Sequence, residues 1–220
     1  MKRFLRENGL SLALLVCFLG SWGGQAVAGH REQNDELARH HRPTVGFAEY
    51  LRSAHFLEAT AENWESEFLQ MFAYLWLTSF LYQKGSAESK RLDGPEEVDR
   101  DPRRGRHNQY TPRPVRRGGV ALWLYERSLG IAFALMFLIS FAAHAAGGAA
   151  EFNEDRRTHG EPALSMGEFV TTPRFWFESL QNWQSEFLAI ASTVWLAVYL
   201  RQRWSPESKP VHAPHVETGR

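Results

Sequence analysis

The sequence predicts an all-α fold: a four-helix transmembrane bundle made of two tandem, same-orientation helical hairpins with amphipathic external segments. Three observations lead there. Asn63-Trp64-Glu65-Ser66-Glu67-Phe68-Leu69 returns as Asn182-Trp183-Gln184-Ser185-Glu186-Phe187-Leu188, and that offset of 119 residues aligns 7–90 with 126–209 without a gap. Two stretches, 9–29 and 130–150, contain no Asp, Glu, Lys or Arg, and runs of about 20 apolar residues match the hydrocarbon core of a bilayer. Lys and Arg, finally, are unevenly divided between the segments that join the apolar runs.

Bulk composition conceals this organisation. A chain of 220 residues with 23% charged residues and a mean hydropathy of −0.39 reads as soluble, but the charges are confined to about half of it. With 25 basic and 25 acidic residues the formal net charge is zero, which gives no bulk reason for nucleic-acid binding. The one cysteine, Cys17, sits in the first apolar run. It excludes an internal disulfide or a cysteine metal cluster and reads as a small packing residue.

The first helix is expected over about 9–29. Lys2, Arg3 and Arg6 followed by an apolar core and Ala26-Val27-Ala28 also fit a secretory signal. The copy at 129–148 lies mid-chain, where no signal acts, so an uncleaved span is the preferred reading. A polar loop follows over 30–45, matched by 149–164, with Pro43 and Pro162 as helix stops. The segment after Pro43 places Phe47, Tyr50, Leu51, Ala54, Leu57, Ala61 and Trp64 at helical intervals, suited to a membrane surface. Its counterpart is broken at Pro173.

The next apolar runs, 68–82 and 187–200, rise only about 21 to 23 Å as helix, short of a core of about 30 Å. Extending them backward gives spans of about 64–82 and 183–201, with Trp64 and Trp183 as interface anchors. Thr78, Ser79, Ser192 and Thr193 can return their hydroxyls to the helix backbone. The third span is expected over about 121–147. The domain reading is repeat one over 1–90 with external loop 30–63, a disordered cytoplasmic linker over 91–119, repeat two over 120–209 with external loop 149–182, and a disordered tail over 210–220.

Orientation follows from the basic residues. Seventeen Lys and Arg lie in the N-terminus, the linker and the tail, against seven in the two external loops. Both termini and the linker are therefore assigned to the cytoplasm, as a multi-pass protein of a bacterial inner membrane. Two spans per repeat give both hairpins the same orientation.

The polar residues worth weighing lie in the repeated motif. On a helix Asn63, Ser66, Glu67 and Gln70 share one face, and Asn182, Ser185 and Glu186 repeat it with Ala189 in place of the glutamine. One reading is a polar intramembrane patch in which paired carboxylates bind a cation or carry protons. The other, which is preferred, makes Asn63 and Asn182 helix caps with Glu67 and Glu186 in the first turn, at the water boundary. Glu32, His40 and His41, with Glu151 and His159, are weak metal candidates whose spacing matches no ligand pattern, so no metal is assigned. His144 reads as an interhelical hydrogen-bonding residue rather than a proton relay.

Gly85 reads as a helix stop, and Ser205-Pro206-Glu207 as a capped turn. The basic run Arg103-Arg104-Gly105-Arg106 and residues 113–117 point to anionic lipid. No nucleophile elbow, phosphate loop, zinc-protease helix or dinucleotide fingerprint is present.

The segments RENGLSLAL, HFLEATAENWESEFLQ, FWFESLQNWQSEFLAI, KGSAESK and WSPESKPV resemble an uncharacterised bacterial family of small integral membrane proteins, a domain of unknown function with a duplicated NWxSEFL motif. The resemblance spans nearly the whole chain and implies an integral membrane protein. It brings no activity, cofactor or catalytic residues with it. The functional expectation is therefore a non-enzymatic structural or accessory envelope protein, with no cofactor and the lipid bilayer as partner. A small cation or proton transporter using the paired glutamates is the alternative.

Overall fold

The structure, a computed structural model, describes residues 2–105 and 108–219. Arg106 of the basic run and Arg220 of the tail count lie outside the described residues. The elements in chain order are α1 (Lys2–Arg39), α2 (Phe47–Tyr50), α3 (Ala54–Thr78), α4 (Arg113–Arg117), α5 (Gly119–Glu126), α6 (Ser128–Thr158), α7 (Met166–Phe169) and α8 (Pro173–Tyr199). Two 3₁₀ turns, Glu97–Asp99 and Pro102–Gly105, lie between α3 and α4. The described residues contain no strand, and α1 and α6 are each long and apolar enough to cross a membrane.

Each of the four long helices overruns an expected bound, α1 at both ends, α6 at its C-terminal end and α3 and α8 at their starts. In the other direction, α6 begins only at Ser128 behind the separate α5, and α3 and α8 stop at Thr78 and Tyr199, short of 82 and 201. The polar stretches assigned to loops at 30–39 and 149–158 are the last turns of α1 and α6, because no proline or glycine interrupts them before residue 40 or 160. Each helix then ends in the same way. His41 and Gly160 take positive φ values of 56° and 72°. Arg42 N–H donates to Leu37 O at 2.8 Å and Glu161 N–H to Arg156 O at 2.9 Å. Shorter-range bonds run from His41 to Ala38 and from Gly160 to Arg157, completing a Schellman motif in both places. His41, weighed as a metal ligand, is the residue that turns the chain.

After the turn, the side-chain amide of Asn34 grips the peptide of Val45. Its Nδ2 donates to Val45 O at 3.1 Å, and Val45 N–H donates to its Oδ1 at 2.8 Å. Asn153 holds Leu164 identically, at 2.8 and 2.7 Å. Replacing Asn34 by alanine removes two hydrogen bonds worth about 1 kcal/mol each. Thermal unfolding in detergent should show a loss of about 2 kcal/mol for Asn34→Ala and a similar loss for Asn153→Ala. Wild-type melting in either variant would contradict the clamp.

Helices α3 and α8 begin about ten residues earlier than expected. Ser53 Oγ accepts from Phe56 N–H at 3.2 Å, and Thr172 Oγ1, the N-cap of α8, accepts from Phe175 N–H at 3.3 Å. Pro173 sits in the first turn, where its missing N–H costs nothing, so it starts the helix rather than breaking it. Thr78, Ser79 and Thr193 bond back to Tyr74, Leu75 and Ala189 carbonyls at 2.7, 2.8 and 3.0 Å, as expected of hydroxyls in an apolar span.

The chain divides into two compact units, one of residues 1–61 with 143–169 and the other of 62–142 with 170–220. In the first, Ala26, Tyr50 and Phe56 form a core to which Trp22 and Val45 add. Trp22 stacks on Phe56 with ring centroids 6.0 Å apart. Gly29 lets the Tyr50 hydroxyl approach so closely that an added Cβ would lie 2.1 Å from it. Gly148 does the same for the Phe169 ring, at 2.7 Å. Burial, with the nearby Glu32 and Glu151 charges, raises the Tyr50 pKa and keeps the phenol protonated.

In the second unit, aromatic contacts join α6 to α3 through Phe133 and Phe68, 6.4 Å apart. They join α6 to α8 through Phe137–Trp183 at 6.3 Å and Phe141–Phe175 at 5.3 Å. The segments that follow α3 and α8 close into matching turns. Gln83 N–H donates to Ser89 Oγ and Gln202 N–H to Ser208 Oγ, both at 2.9 Å. Glu88 and Glu207 N–H donate to Ser86 and Ser205 Oγ, both at 3.1 Å. Gly85 lies seven residues past the end of α3, so it does not stop the helix. Its φ of 84° shapes the turn, and a Cβ there would meet His215 O at 2.5 Å.

Residues 210–219 pack against that turn. Lys209, 2% exposed, donates through Nζ to the carbonyls of Gly85, Pro214, His215 and Glu217 at 2.5, 3.2, 3.2 and 2.7 Å. Gly219 N–H reaches Ser86 O, and Gly85 N–H reaches Thr218 Oγ1. Burial pushes the Lys209 pKa below its ordinary value, with Arg201 repelling it further.

Candidate functional site

Within the second unit the two copies of the seven-residue motif meet, and the contact is polar. Gln181 and Asn182 of α8 both donate to Glu62 of α3, Gln181 at 3.4 Å and Asn182 by a short bond. Trp183 Nε1–H donates to Glu65 Oε1 at 3.0 Å. On the other strand of the seam, Gln70 Nε2 donates to the Glu186 carbonyl at 3.0 Å. The two helices are thus tied by side-chain amides, an indole and carboxylates over about two turns of α3, from Glu62 to Gln70.

The helix starts decide what the motif residues can be. Asn63 and Asn182 lie more than two turns inside α3 and α8, so neither caps a helix, and the preferred reading of the sequence is overturned. Asn63 is exposed, whereas Asn182 is half-buried and spends its amide on Glu62 and on Glu178 O. Ser66 is buried and Ser185 exposed, yet each returns its hydroxyl to its own helix, to Asn63 O at 2.9 Å and Asn182 O at 2.8 Å. Glu67 is exposed and Glu186 half-buried. The polar positions of the two copies, four in the first and three in the second, therefore do not act as one patch.

Trp64 and Trp183 are half-buried, and they differ in use. Trp183 is a hydrogen-bond donor at the seam and packs on Phe137 and Trp176. Trp64 packs on Phe68 of its own helix.

Glu65 is the residue that sequence reasoning missed. It is fully buried, yet the alignment pairs it with Gln184, which is exposed. A position where one copy carries a charge and the other a neutral isostere was the available signal, because only the copy with a buried donor opposite can hold a carboxylate.

The metal candidates do not assemble. Among the described residues, no set of three metal-competent ligand atoms includes Glu32, His40, Glu151 or His159. His40 and His159 are exposed at the ends of α1 and α6, and His159 Nδ1 lies 3.0 Å from Asp155 O. Glu32 instead lies 3.7 Å from His55 Nε2. His144 is fully buried in the first unit with the carboxylate of Glu58, itself 8% exposed, within 4.8 Å.

A protein-family model described as a domain of unknown function (DUF6766) matches residues 1–220. No curated protein and no solved structure matches the chain.

Proposed function

The chain belongs to the domain-of-unknown-function family DUF6766, and from that premise we propose that it is a multi-pass, non-enzymatic membrane protein with a structural or accessory role in a bacterial envelope. Four helices span the bilayer as two hairpins of the same orientation, α1 with α3 and α6 with α8. At 25 and 27 residues, α3 and α8 rise about 38 and 41 Å, enough to cross a core of about 30 Å once their polar first turns stand outside it. Both termini and the linker lie in the cytoplasm of an inner membrane, where the basic linker meets anionic lipid.

One observation carries the non-enzymatic role. Within the repeated motif, Glu65, Asn182, Trp183 and the Glu186 carbonyl are used in holding α3 to α8, and Ser66 and Ser185 bond back to their own helices, so the hydrogen bonds found among the described residues of the motif are those of a helix seam. Such a seam suits a scaffold, since polar contacts between spans fix register where lipid supplies no hydrophobic drive. Purification in mild detergent with chemical cross-linking should retain a partner protein, and a lone chain under those conditions counts against the role. Reporters fused at residues 100 and 215 should both read as cytoplasmic, and opposite sides would end the four-span topology.

The half-buried Glu186, whose carbonyl accepts from Gln70 at the seam, favours one second reading, a proton or cation pathway along the seam. It requires that Glu67→Gln combined with Glu186→Gln lower flux at least tenfold in vesicles loaded with a pH dye. Equal flux in the two proteins, or none in either, removes it.

A further inference from the structure

The third apolar run reads from sequence as one helix, but the structure breaks it within the second unit. Arg127 leaves helical geometry, with φ −113° and ψ 3°, and the Ser128 hydroxyl donates to the Tyr125 carbonyl at 2.9 Å. From Ser128 to Ala150, α6 holds no Asp, Glu, Lys or Arg and rises about 34 Å, enough for a hydrocarbon core of about 30 Å. The eight residues of α5 are therefore surplus to the span. They are nonetheless apolar.

Val120, Trp123 and Leu124 are exposed and fall at i, i+3 and i+4 of α5. Arg127 closes that face at i+7, its guanidinium 4.8 Å from the Trp123 ring, and pairs with Glu126, the acid of α5, at 3.2 Å. Ahead of α5 the charge is one-sided. Residues 102–125 contain six arginines and no acid, and Arg103, Arg104, Arg113 and Arg117 are exposed without an ion pair among the described residues. Gly118 and Gly119, at φ 72° and 58°, turn α4 onto α5, and Val115 and Leu122 are the buried residues of the two helices. Within this unit α8 runs antiparallel to α6 and parallel to α3, which puts the ends of α3 and α8 beside the start of α6. Those ends carry exposed aromatic pairs, Trp76 with Phe80 and Trp195 with Tyr199. Aromatic rings gathered at one level of a bundle mark the headgroup layer.

We propose that α4 and α5 form an interfacial anchor for anionic phospholipid, with the α4 arginines on headgroup phosphates and the Val120, Trp123 and Leu124 face in the acyl boundary, an assignment that rests on the membrane topology above. Guanidinium forks match phosphate oxygens. Clusters of about 4 to 8 basic residues directly cytoplasmic of a span attract anionic headgroups, and a helix with one apolar face lies in the plane of the interface. Nucleic acid would answer the arginines but leave the apolar face in water. A lipid surface answers both, and α6 begins one residue after α5 ends.

The test uses the full chain with Cys17→Ala and Val120→Cys, an environment-sensitive dye on the new thiol, in nanodiscs of phosphatidylcholine with increasing phosphatidylglycerol. The dye should be quenched by brominated acyl chains, and quenching should rise with phosphatidylglycerol and saturate. Combining Arg113→Gln, Arg116→Gln and Arg117→Gln should cut that rise about fivefold or more while the protein melts like its parent. A dye placed instead through Val98→Cys, on the acidic turn Glu97–Asp99, should stay in water in every disc. Quenching at 120 that is independent of phosphatidylglycerol, or unchanged in the triple variant, overturns the proposal. Loss of quenching on adding transfer RNA also overturns it and reassigns the arginines to nucleic acid. A dye at 120 that stays in water in a chain resisting alkaline extraction overturns the anchor alone, whereas a chain that washes out of the membrane overturns the topology with it.

Discussion

Gly147→Val should be the most damaging single substitution in the chain, lowering stability by about 3 kcal/mol or more, at the upper end of the usual range for overpacking. A Cβ at Gly147 would lie 2.8 Å from Glu58 N, 3.1 Å from Glu58 Cα and 3.3 Å from Ala54 O. All three are backbone atoms of α3, so no side chain can swing aside and the helices themselves must separate. Close approach through small residues is what lets helices associate in lipid, and here it also brings Glu58 toward His144. Gly130→Val on the same helix is the control, because nothing lies within 4 Å of that position. Tryptophan fluorescence during thermal unfolding in detergent should separate the two variants by well over 5 °C. Equal melting temperatures would show that the helices do not touch at Gly147.

Lys209→Met should release residues 210–219 from the turn at Gly85 without unfolding α3 or α8. The methionine keeps the length and loses every donor, leaving four carbonyls unsatisfied. Two of the four bonds are short. At about 1.5 kcal/mol each for bonds to a charged group, the docked tail loses about 3 kcal/mol. Amide hydrogen exchange is the measurement: protection at Gly85, whose N–H donates to Thr218 Oγ1, and at Gly219, whose N–H donates to Ser86 O, should fall by about two orders of magnitude while the core helices are unchanged. Lys209→Arg should fail to rescue, since a planar guanidinium cannot aim at four carbonyls converging on one point. Undiminished protection in the methionine variant would show that the tail is held by its other contacts.

These two sites mark how far the sequence could be read. The tail has the composition of a segment without a core, and it has none. What holds it is one ammonium ringed by backbone carbonyls, and backbone groups leave no trace in composition. Lys90, the counterpart of Lys209, reaches Asp99 at 2.8 Å instead, so the same aligned residue is used in two ways. The external segments were partly legible. The 119-residue offset aligns Asn34 with Asn153, but that each grips a peptide eleven residues ahead depends on where the Schellman turns send the chain. The caps were misplaced for a related reason. Asn63 and Asn182 are good capping residues by type, yet Ser53 and Thr172 lie upstream with helix-forming sequence after them. The amphipathic stretch and the apolar run join as one helix because nothing between them breaks it.

The sequence by itself determined that this protein is helical, that two of its helices can cross a lipid layer, and that it belongs with the DUF6766 family. Periodicity, run length and repetition are properties of the chain in one dimension, and they survive without coordinates. Tertiary structure alone decided that Glu65 is buried against Trp183 and that the motif copies face each other. Those facts depend on which side of a helix meets a neighbour. Burial of a polar group is tolerable only where a partner arrives from elsewhere in the chain.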